Sequence, residues 1–162
     1  MNIRHAVEKD LQGIVDIYND AIEHTTATFD LEKVSIEDRK GWFDEHVHRY
    51  PLIVAVKGEK IVGYATLSPY NKKEAYSKTV ELSVYVDREE RGQGIGRALM
   101  DEILHLAKEN EHRAVISLIT KGNEHSISMH KRYGFFLCGE LKEVGYKFDQ
   151  WQDVLLYQLL IK

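Results

Sequence analysis

A single cysteine, Cys138, stands among 162 residues, so no disulfide can close within the chain. That usage fits a reducing compartment, and a cytoplasmic protein is expected. The N-terminal MNIRHAVEKD lacks the apolar core of a secretory signal. No apolar run approaches the roughly 20 residues that cross a bilayer, so no membrane partner is expected. An excess of positive charge is missing as well. Lys and Arg number 22 against 26 Asp and Glu, a formal net charge of −4. Broad nucleic-acid binding needs a basic footprint and is therefore not expected. There are two prolines, Pro51 and Pro69, and no repeat, low-complexity tract or Ser/Pro-rich linker. Nothing marks a hinge, and residues 1–162 are expected to form one domain with a sizeable core.

What is present reads as an ordinary globular chain, 43% hydrophobic and 30% charged. NIRHA is a short first strand. Asp10 is placed to cap a helix whose Leu11, Ile14, Val15, Tyr18, Ala21 and Ile22 recur at helical spacing. EHTTATFD breaks that pattern and reads as a loop. Ser35, with Asp38 three residues later, opens a second helix expected to run through IEDRKGWFDEHVHRY to Tyr50. LIVAVK and KIVGYATLSPY around Gly58-Glu59 signal a hairpin. Residues 71–78 read as loop or strand edge. TVELSVYV is a strand, GIGRALMDEILHLAKEN a helix, and AVISLI a buried strand. NEHSISMHKRYGF is a short helix capped by Asn123 and ended near Gly134. The remainder has two strand-like parts around a turn-rich middle. The order is β-α-α-β-β-β-α-β-α-β-β. The class is α/β (α+β): a mixed sheet, rich in hairpins, covered by about four helices.

Three of the eleven glycines crowd into ELSVYVDREERGQGIGRALM, at Gly92, Gly94 and Gly96, between a strand and a helix. Glycine is costly in ordered structure unless its backbone freedom is used. A helix N-terminus exposes unpaired N–H groups and partial positive charge, and a loop stripped of side chains lets phosphates reach them. Arg88, Arg91 and Arg97 add permanent charge. The segment reads as a pyrophosphate cradle. It is not a P-loop, because Arg97 and Ala98 follow Gly96 where Lys-Ser/Thr is required. It is not a Rossmann fingerprint, because position 97 is Arg where a third glycine is needed.

Arg91-Gly92-Gln93-Gly94-Ile95-Gly96 resembles the R/Q-x-x-G-x-G/A signature of the GNAT N-acetyltransferases. Asn123 followed by Tyr133-Gly134-Phe135 is similar to the second motif of that family. The resemblance runs from Ile3 to about Leu159. It is nearest to the phosphinothricin and methionine sulfoximine acetyltransferase branch, on the stretches IYNDAIEHTTATFD, NEHSISMHKRYGF and VGYKFDQWQDVLLYQ. The resemblance implies the GNAT fold and acetyl-CoA as co-substrate, its pyrophosphate held by Arg91, Gly92, Gln93, Gly94, Ile95, Gly96 and Arg97. It implies that the strand bearing Val84, Tyr85 and Val86 splays from its neighbour. Their freed main chain then pairs with the pantetheine arm and polarises the thioester, while Asn123 meets the arm from the other side.

Acetyl transfer to an amine needs a base, a polarised carbonyl and a route for the thiolate's proton. Alternation along TVELSVYV places Glu81, Ser83 and Tyr85 on one face and Val80, Leu82, Val84 and Val86 on the other. By pattern alone Glu81 is either a solvated strand-face residue or a base; the resemblance implies the base. Asn123, Ser126 and His130 share one side of their short helix, and a histidine there can take or give a proton near neutrality. By pattern alone His130 is equally a structural histidine; the resemblance implies a catalytic one. Tyr133 is a weaker acid candidate.

The branch acetylates the α-amine of small amino-acid-like molecules, often with arginines in the loop matching residues 71–78. Here that loop is NKKEAYSK. Lysine lacks the guanidinium fork, which argues against phosphinothricin itself as the preferred acceptor. Lys78, Tyr76 and Phe29 are the candidate acceptor contacts. His46 and His48, two apart on a helix, point away from each other, and no metal is expected. Cys138 has no activating partner in view and reads as a buried strand residue. The apolar WQDVLLYQLLI suits a sheet edge or a partner subunit, and the branch implies a homodimer. The alternatives are a protein or peptide N-acetyltransferase on the same fold, and a non-catalytic acyl-CoA-binding module.

Overall fold

A computed structural model describes residues 1–47 and 49–162. The elements follow the expected order: β1 (Asn2–His5), α1 (Leu11–His24), α2 (Ile36–Glu45), β2 (Leu52–Lys57), β3 (Lys60–Pro69), β4 (Thr79–Val86), α3 (Ile95–Glu109), β5 (Ala114–Thr120), α4 (Glu124–Arg132), β6 (Phe136–Lys147) and β7 (Gln150–Leu160). The seven strands of the described residues form one sheet in the order β1-β2-β3-β4-β5-β7-β6. Every neighbouring pair is antiparallel except β4 with β5.

The sheet buries both faces. Leu99, Met100, Ile103 and Ala107 of α3 pack on Val62, Leu67, Val80, Leu82 and Val115, with Ile127 of α4 and Tyr157 of β7 in the same core. On the other face Ile14 and Ile17 of α1 meet Val54, Val56 and Tyr64, with Trp42 and Phe43 of α2 packed alongside. Stripes on single helix faces produce this two-sided core.

Several local expectations need correction. Asp10 precedes α1 but does not cap it. Its carboxylate accepts from the Val7 N–H at 2.8 Å and from the two terminal nitrogens of the Arg4 guanidinium, at 2.6 and 2.9 Å. α2 stops at Glu45 rather than Tyr50. The Trp42 carbonyl, which an α-helix would bond to the His46 N–H, is taken instead by His46 Nδ1 at 2.8 Å. The His46 N–H turns to the Phe43 carbonyl at 3.1 Å, and the helix closes there. The stretch after Gly134 forms the two expected strands, but the turn between them is short. β6 runs on to Lys147 by absorbing two bulges, one at Leu137–Gly139 and one at Leu141–Gly145. The hairpin turns at Phe148-Asp149, both at positive φ (56° and 57°). This places β7 inside the sheet, so WQDVLLYQLLI is not the edge; β6 is. Cys138 lies exposed on that edge rather than buried.

The loop after α1 is strapped across the sheet. Tyr85 Oη donates to the Ala27 carbonyl at 3.3 Å, Thr120 Oγ1 to the Thr26 carbonyl at 2.7 Å, and Lys147 Nζ to the Thr28 carbonyl at 2.8 Å. The Phe29 ring lies so close to Gly145 that a Cβ there would collide with it.

The Arg4 guanidinium, through its hydrogen bonds, holds the buried Asp10 carboxyl below the usual 3.8. A depressed carboxyl adds stability that is full above its unfolded value and is lost as pH falls through the folded one. Asp10→Asn is expected to lower unfolding free energy at pH 7 by about 1–3 kcal/mol. In urea denaturation that gap should narrow below about pH 4. Equal stability at pH 7 would refute the assignment.

Candidate active site

β4 and β5 touch over three pairs, Thr79–Ala114, Val80–Val115 and Glu81–Ile116, and then part. β4 stays paired to β3 as far as Val86, and β5 to β7 as far as Thr120. The strands therefore open into a V. Their facing edges beyond Glu81 have no strand partner among the described residues, a state that buried backbone does not tolerate without something to bond. The gap is part of a cavity of about 520 Å³. Leu82 to Val86 form one wall and Ser117 to Thr120 the other. The start of α3 and the inner side of α4 close one side, and Ala21, Thr25 and Ala27 line the other.

The glycine turn meets this cavity at its wide end. Gly94 precedes α3 with φ 79°, and no side chain caps the helix. Gly92 also has positive φ, 81°. A Cβ at either position would meet nothing within 4 Å. These two glycines are thus required by conformation, and the space over them is free. Gly96 differs: its missing side chain makes room for Met129, whose sulfur would stand 3.2 Å from a Cβ. The arrangement leaves the first N–H groups of a 15-residue helix facing open space, with the positive end of the dipole behind them. Arg91 and Arg97 line the cavity and make no ion pair among the described residues. Arg88 is held back, its guanidinium paired with Asp20 at 2.6 and 3.0 Å. Such a cradle fits a diphosphate.

Of the residues singled out from sequence, Val84, Tyr85, Val86, Arg91, Gly92, Gly94, Ile95, Gly96, Arg97, Asn123, Ser126 and His130 all line the cavity. Gln93 turns away, bonded to Glu90 and Lys57. Phe29 sits over Gly145 in the strapped loop. Tyr76 is exposed and lies against Tyr70, ring centroids 5.6 Å apart. Lys78 is exposed at the start of β4, where its carbonyl accepts from Arg113 and Ala114. Phe29, Tyr76 and Lys78 do not line the cavity, and Glu81 stands just outside it, next to the lining residue Leu82.

Glu81 occupies the last residue pair before the strands part. It shares its face with Ser83 and Tyr85, opposite the buried Val80 and Leu82, as alternation requires. It is half-buried, and burial raises its carboxyl above the usual 4.5. No side-chain hydrogen bond or ion pair to a described residue offsets that burial, so the group is poised to take a proton.

His130 is buried on the opposite side of the sheet, 4% exposed, its ring edge-on to Phe135. Nδ1 lies 2.7 Å from the Ser126 carbonyl and Nε2 2.9 Å from Ser117 Oγ. A carbonyl only accepts, so the network assigns the proton to Nδ1 and the lone pair to Nε2. The Ser117 hydroxyl therefore donates to the ring. Burial holds the imidazole below its usual 6.5, so it is neutral at pH 7 and acts as an acceptor. Ser117 follows the Glu81–Ile116 pair, and sequence reading passed over it inside AVISLI. The available signal was one hydroxyl in an otherwise apolar run. Tyr133 is ruled out as a ready acid. Its hydroxyl lies 2.6 Å from Asp101 Oδ1, and burial helps push its pKa up to about 12. Asn123 Oδ1 caps α4 by accepting from the Ser126 N–H at 3.3 Å.

Residues 3–156 match the family model described as an acetyltransferase (GNAT) domain. A phosphinothricin N-acetyltransferase of Streptomyces coelicolor is 40% identical over 163 residues, covering 98% of this chain and 95% of that protein. An L-methionine sulfoximine/L-methionine sulfone acetyltransferase of Pseudomonas aeruginosa is 38% identical over 161 residues, covering 98% and 93%. The crystal structure of a GNAT superfamily phosphinothricin acetyltransferase from Sinorhizobium meliloti, in complex with acetyl-CoA, superimposes with a TM-score of 0.95. It is 31% identical over 99% of this chain and 88% of that one. The split sheet, the glycine-led helix and these likenesses agree: the chain belongs to the GNAT acetyltransferases.

Proposed function

We propose that this enzyme moves the acetyl group of acetyl-CoA directly to the primary amine of a small amino-acid-like acceptor of the methionine sulfoximine or phosphinothricin type. The carrying observation is the unpaired edge of β4, which leads from the cradle before α3 straight to Glu81. The first N–H groups of α3, with Arg91 and Arg97, hold the diphosphate. The pantetheine arm takes the place of the missing strand partner along the β4 edge from Leu82 to Val86, whose N–H groups polarise the thioester carbonyl. Asn123 faces the arm from α4.

Glu81 takes a proton from the ammonium form of the acceptor, freeing the lone pair to attack the carbonyl carbon. The new C–N bond forms as the C–S bond breaks. The second proton that nitrogen sheds enters Ser117 Oγ as the hydroxyl proton moves to His130 Nε2, and the same hydroxyl then returns it to the departing sulfur. One ammonium and one thioester become one amide, one thiol and one released proton. The names of the two relatives support an amino-acid-like acceptor. With no arginine in NKKEAYSK, phosphinothricin itself is the less favoured of the two types.

We further propose a cytoplasmic homodimer. In support, the edge strand β6 and its turn expose Leu137, Leu141, Val144, Tyr146 and Phe148 together. Sedimentation velocity at micromolar concentration should give twice the mass of one chain, and Leu137→Glu should shift it to one. A wild-type monomer would overturn the assembly.

Glu81→Gln should lower kcat for a free amino-acid acceptor by about 10²–10⁴-fold, followed by thiol release, with acetyl-CoA affinity within twofold by calorimetry. Because burial lifts the Glu81 carboxyl, wild-type kcat should fall as pH drops through a value above 4.5, and the variant should lack that limb. Unchanged turnover in Glu81→Gln overturns the base. Gly94→Val forces a β-branched residue into positive φ and puts bulk over the cradle. It should lose about tenfold or more in acetyl-CoA affinity while circular dichroism stays native, ~1.4 kcal/mol. A folded variant that binds normally overturns the cradle.

A further inference from the structure

The reaction proposed above releases one proton per turnover, and Glu81 must lose it before the next cycle. This inference rests on that reading and asks where the proton goes. Glu81 has no bonded neighbour among the described residues, but it has a close one. Ser68 of β3 is its partner across the antiparallel ladder. Residues paired this way share a face, with Cβ atoms about 4.5–5.5 Å apart, within reach of a glutamate side chain.

Ser68 is half of a second serine–histidine pair. Its Oγ lies 3.2 Å from His46 Nε2, while His46 Nδ1 lies 2.8 Å from the Trp42 carbonyl. The carbonyl can only accept, so Nδ1 carries the hydrogen and Nε2 the lone pair. The Ser68 hydroxyl must then donate to the ring, and its oxygen is left free to accept. His46 closes α2, stacked edge-on against Trp42 with centroids 4.8 Å apart. It is partly exposed. Burial keeps the imidazole below its usual 6.5, with Glu45 opposing and Arg39 reinforcing that effect. At pH 7 the ring is neutral and can accept. His48, its neighbour in the sequence, lies outside the described residues.

We propose that Ser68 and His46 form the proton exit of Glu81. The Glu81 carboxyl O–H breaks and its proton joins Ser68 Oγ, as the Ser68 hydroxyl proton moves to His46 Nε2. Glu81 is again a carboxylate, Ser68 again an alcohol, and His46 an imidazolium that returns to neutral by giving a proton to water. Both residues act through Glu81 and touch no reacting atom of the substrates.

Thiol release at saturating acetyl-CoA and amino-acid acceptor, in dilute buffer, tests this with four proteins: wild type, Ser68→Ala, Ser68→Thr and His46→Phe. Ser68→Ala and His46→Phe should each lose about tenfold in kcat, with KM for acetyl-CoA within twofold. Ser68→Thr restores a hydroxyl on a β-branched frame and should stay within twofold of wild type. Raising the concentration of imidazole buffer should bring Ser68→Ala back toward the wild-type rate, since a soluble base can then collect the proton. A loss through packing alone would not respond to buffer. Ser68→Ala at the wild-type rate in dilute buffer overturns the exit, as does a loss that neither threonine nor imidazole reverses. A wild-type protein that turns over no primary amine overturns the acetyl-transfer reading instead. If His46→Phe does not fold, the serine variants decide the matter alone.

Discussion

Three residue pairs hold β4 to β5, and the function of the molecule follows from their being only three. A longer ladder would close the gap and satisfy the backbone. A shorter one would leave the two halves of the sheet without a seam. Where the ladder ends, Glu81 stands on one strand and Ile116 on the other, with Ser117 the next residue after it. Beyond that point the edges diverge toward the glycine turn. One geometric event thus opens a slot that leads from the start of α3 down to the Glu81–Ile116 pair.

The two faces of the sheet use the same small device to hold a neutral imidazole. His46 and His130 each donate Nδ1–H to the carbonyl four residues earlier and each accept a serine hydroxyl at Nε2. The carbonyl fixes the tautomer and burial fixes the charge. The serine then becomes the part of the histidine that the sheet sees. Ser68 neighbours the Glu81 pair on the β3 side, and Ser117 follows it on the β5 side, so an acceptor of protons lies to either side of the seam. The energetic logic is that an unpaired buried imidazole would cost more than a weakly bonded one, and each contact made serves both needs.

Much of this was legible in the residues, and the divide is physical. Short-range signals were sound: the alternation in TVELSVYV, the Ser35–Asp38 capping box, the Asn123 cap and the positive-φ glycines before α3 all depend on neighbours within four residues. Asp10 misled because Arg4 lies within reach and a guanidinium outbids a helix end. α2 appeared too long because His46 intercepts its own helix bond. The bulges of β6 look like turns when no partner strand is in view. Ser117 and Ser68 matter only through residues 13 and 22 positions away, which no local pattern reports. Tyr76 and Lys78 were chosen by analogy with a loop elsewhere, and the fold leaves them outside the cavity.

The seam also makes stability depend on occupancy. Between β4 and β5 the sheet is joined by three residue pairs. A ligand lying along the slot supplies bonds to the β4 edge that no strand provides, and so favours the folded chain over the unfolded one by mass action. At a hundredfold excess over its dissociation constant that linkage adds about 2.7 kcal/mol. The folded fraction thereby rises with the concentration of whatever fills the slot.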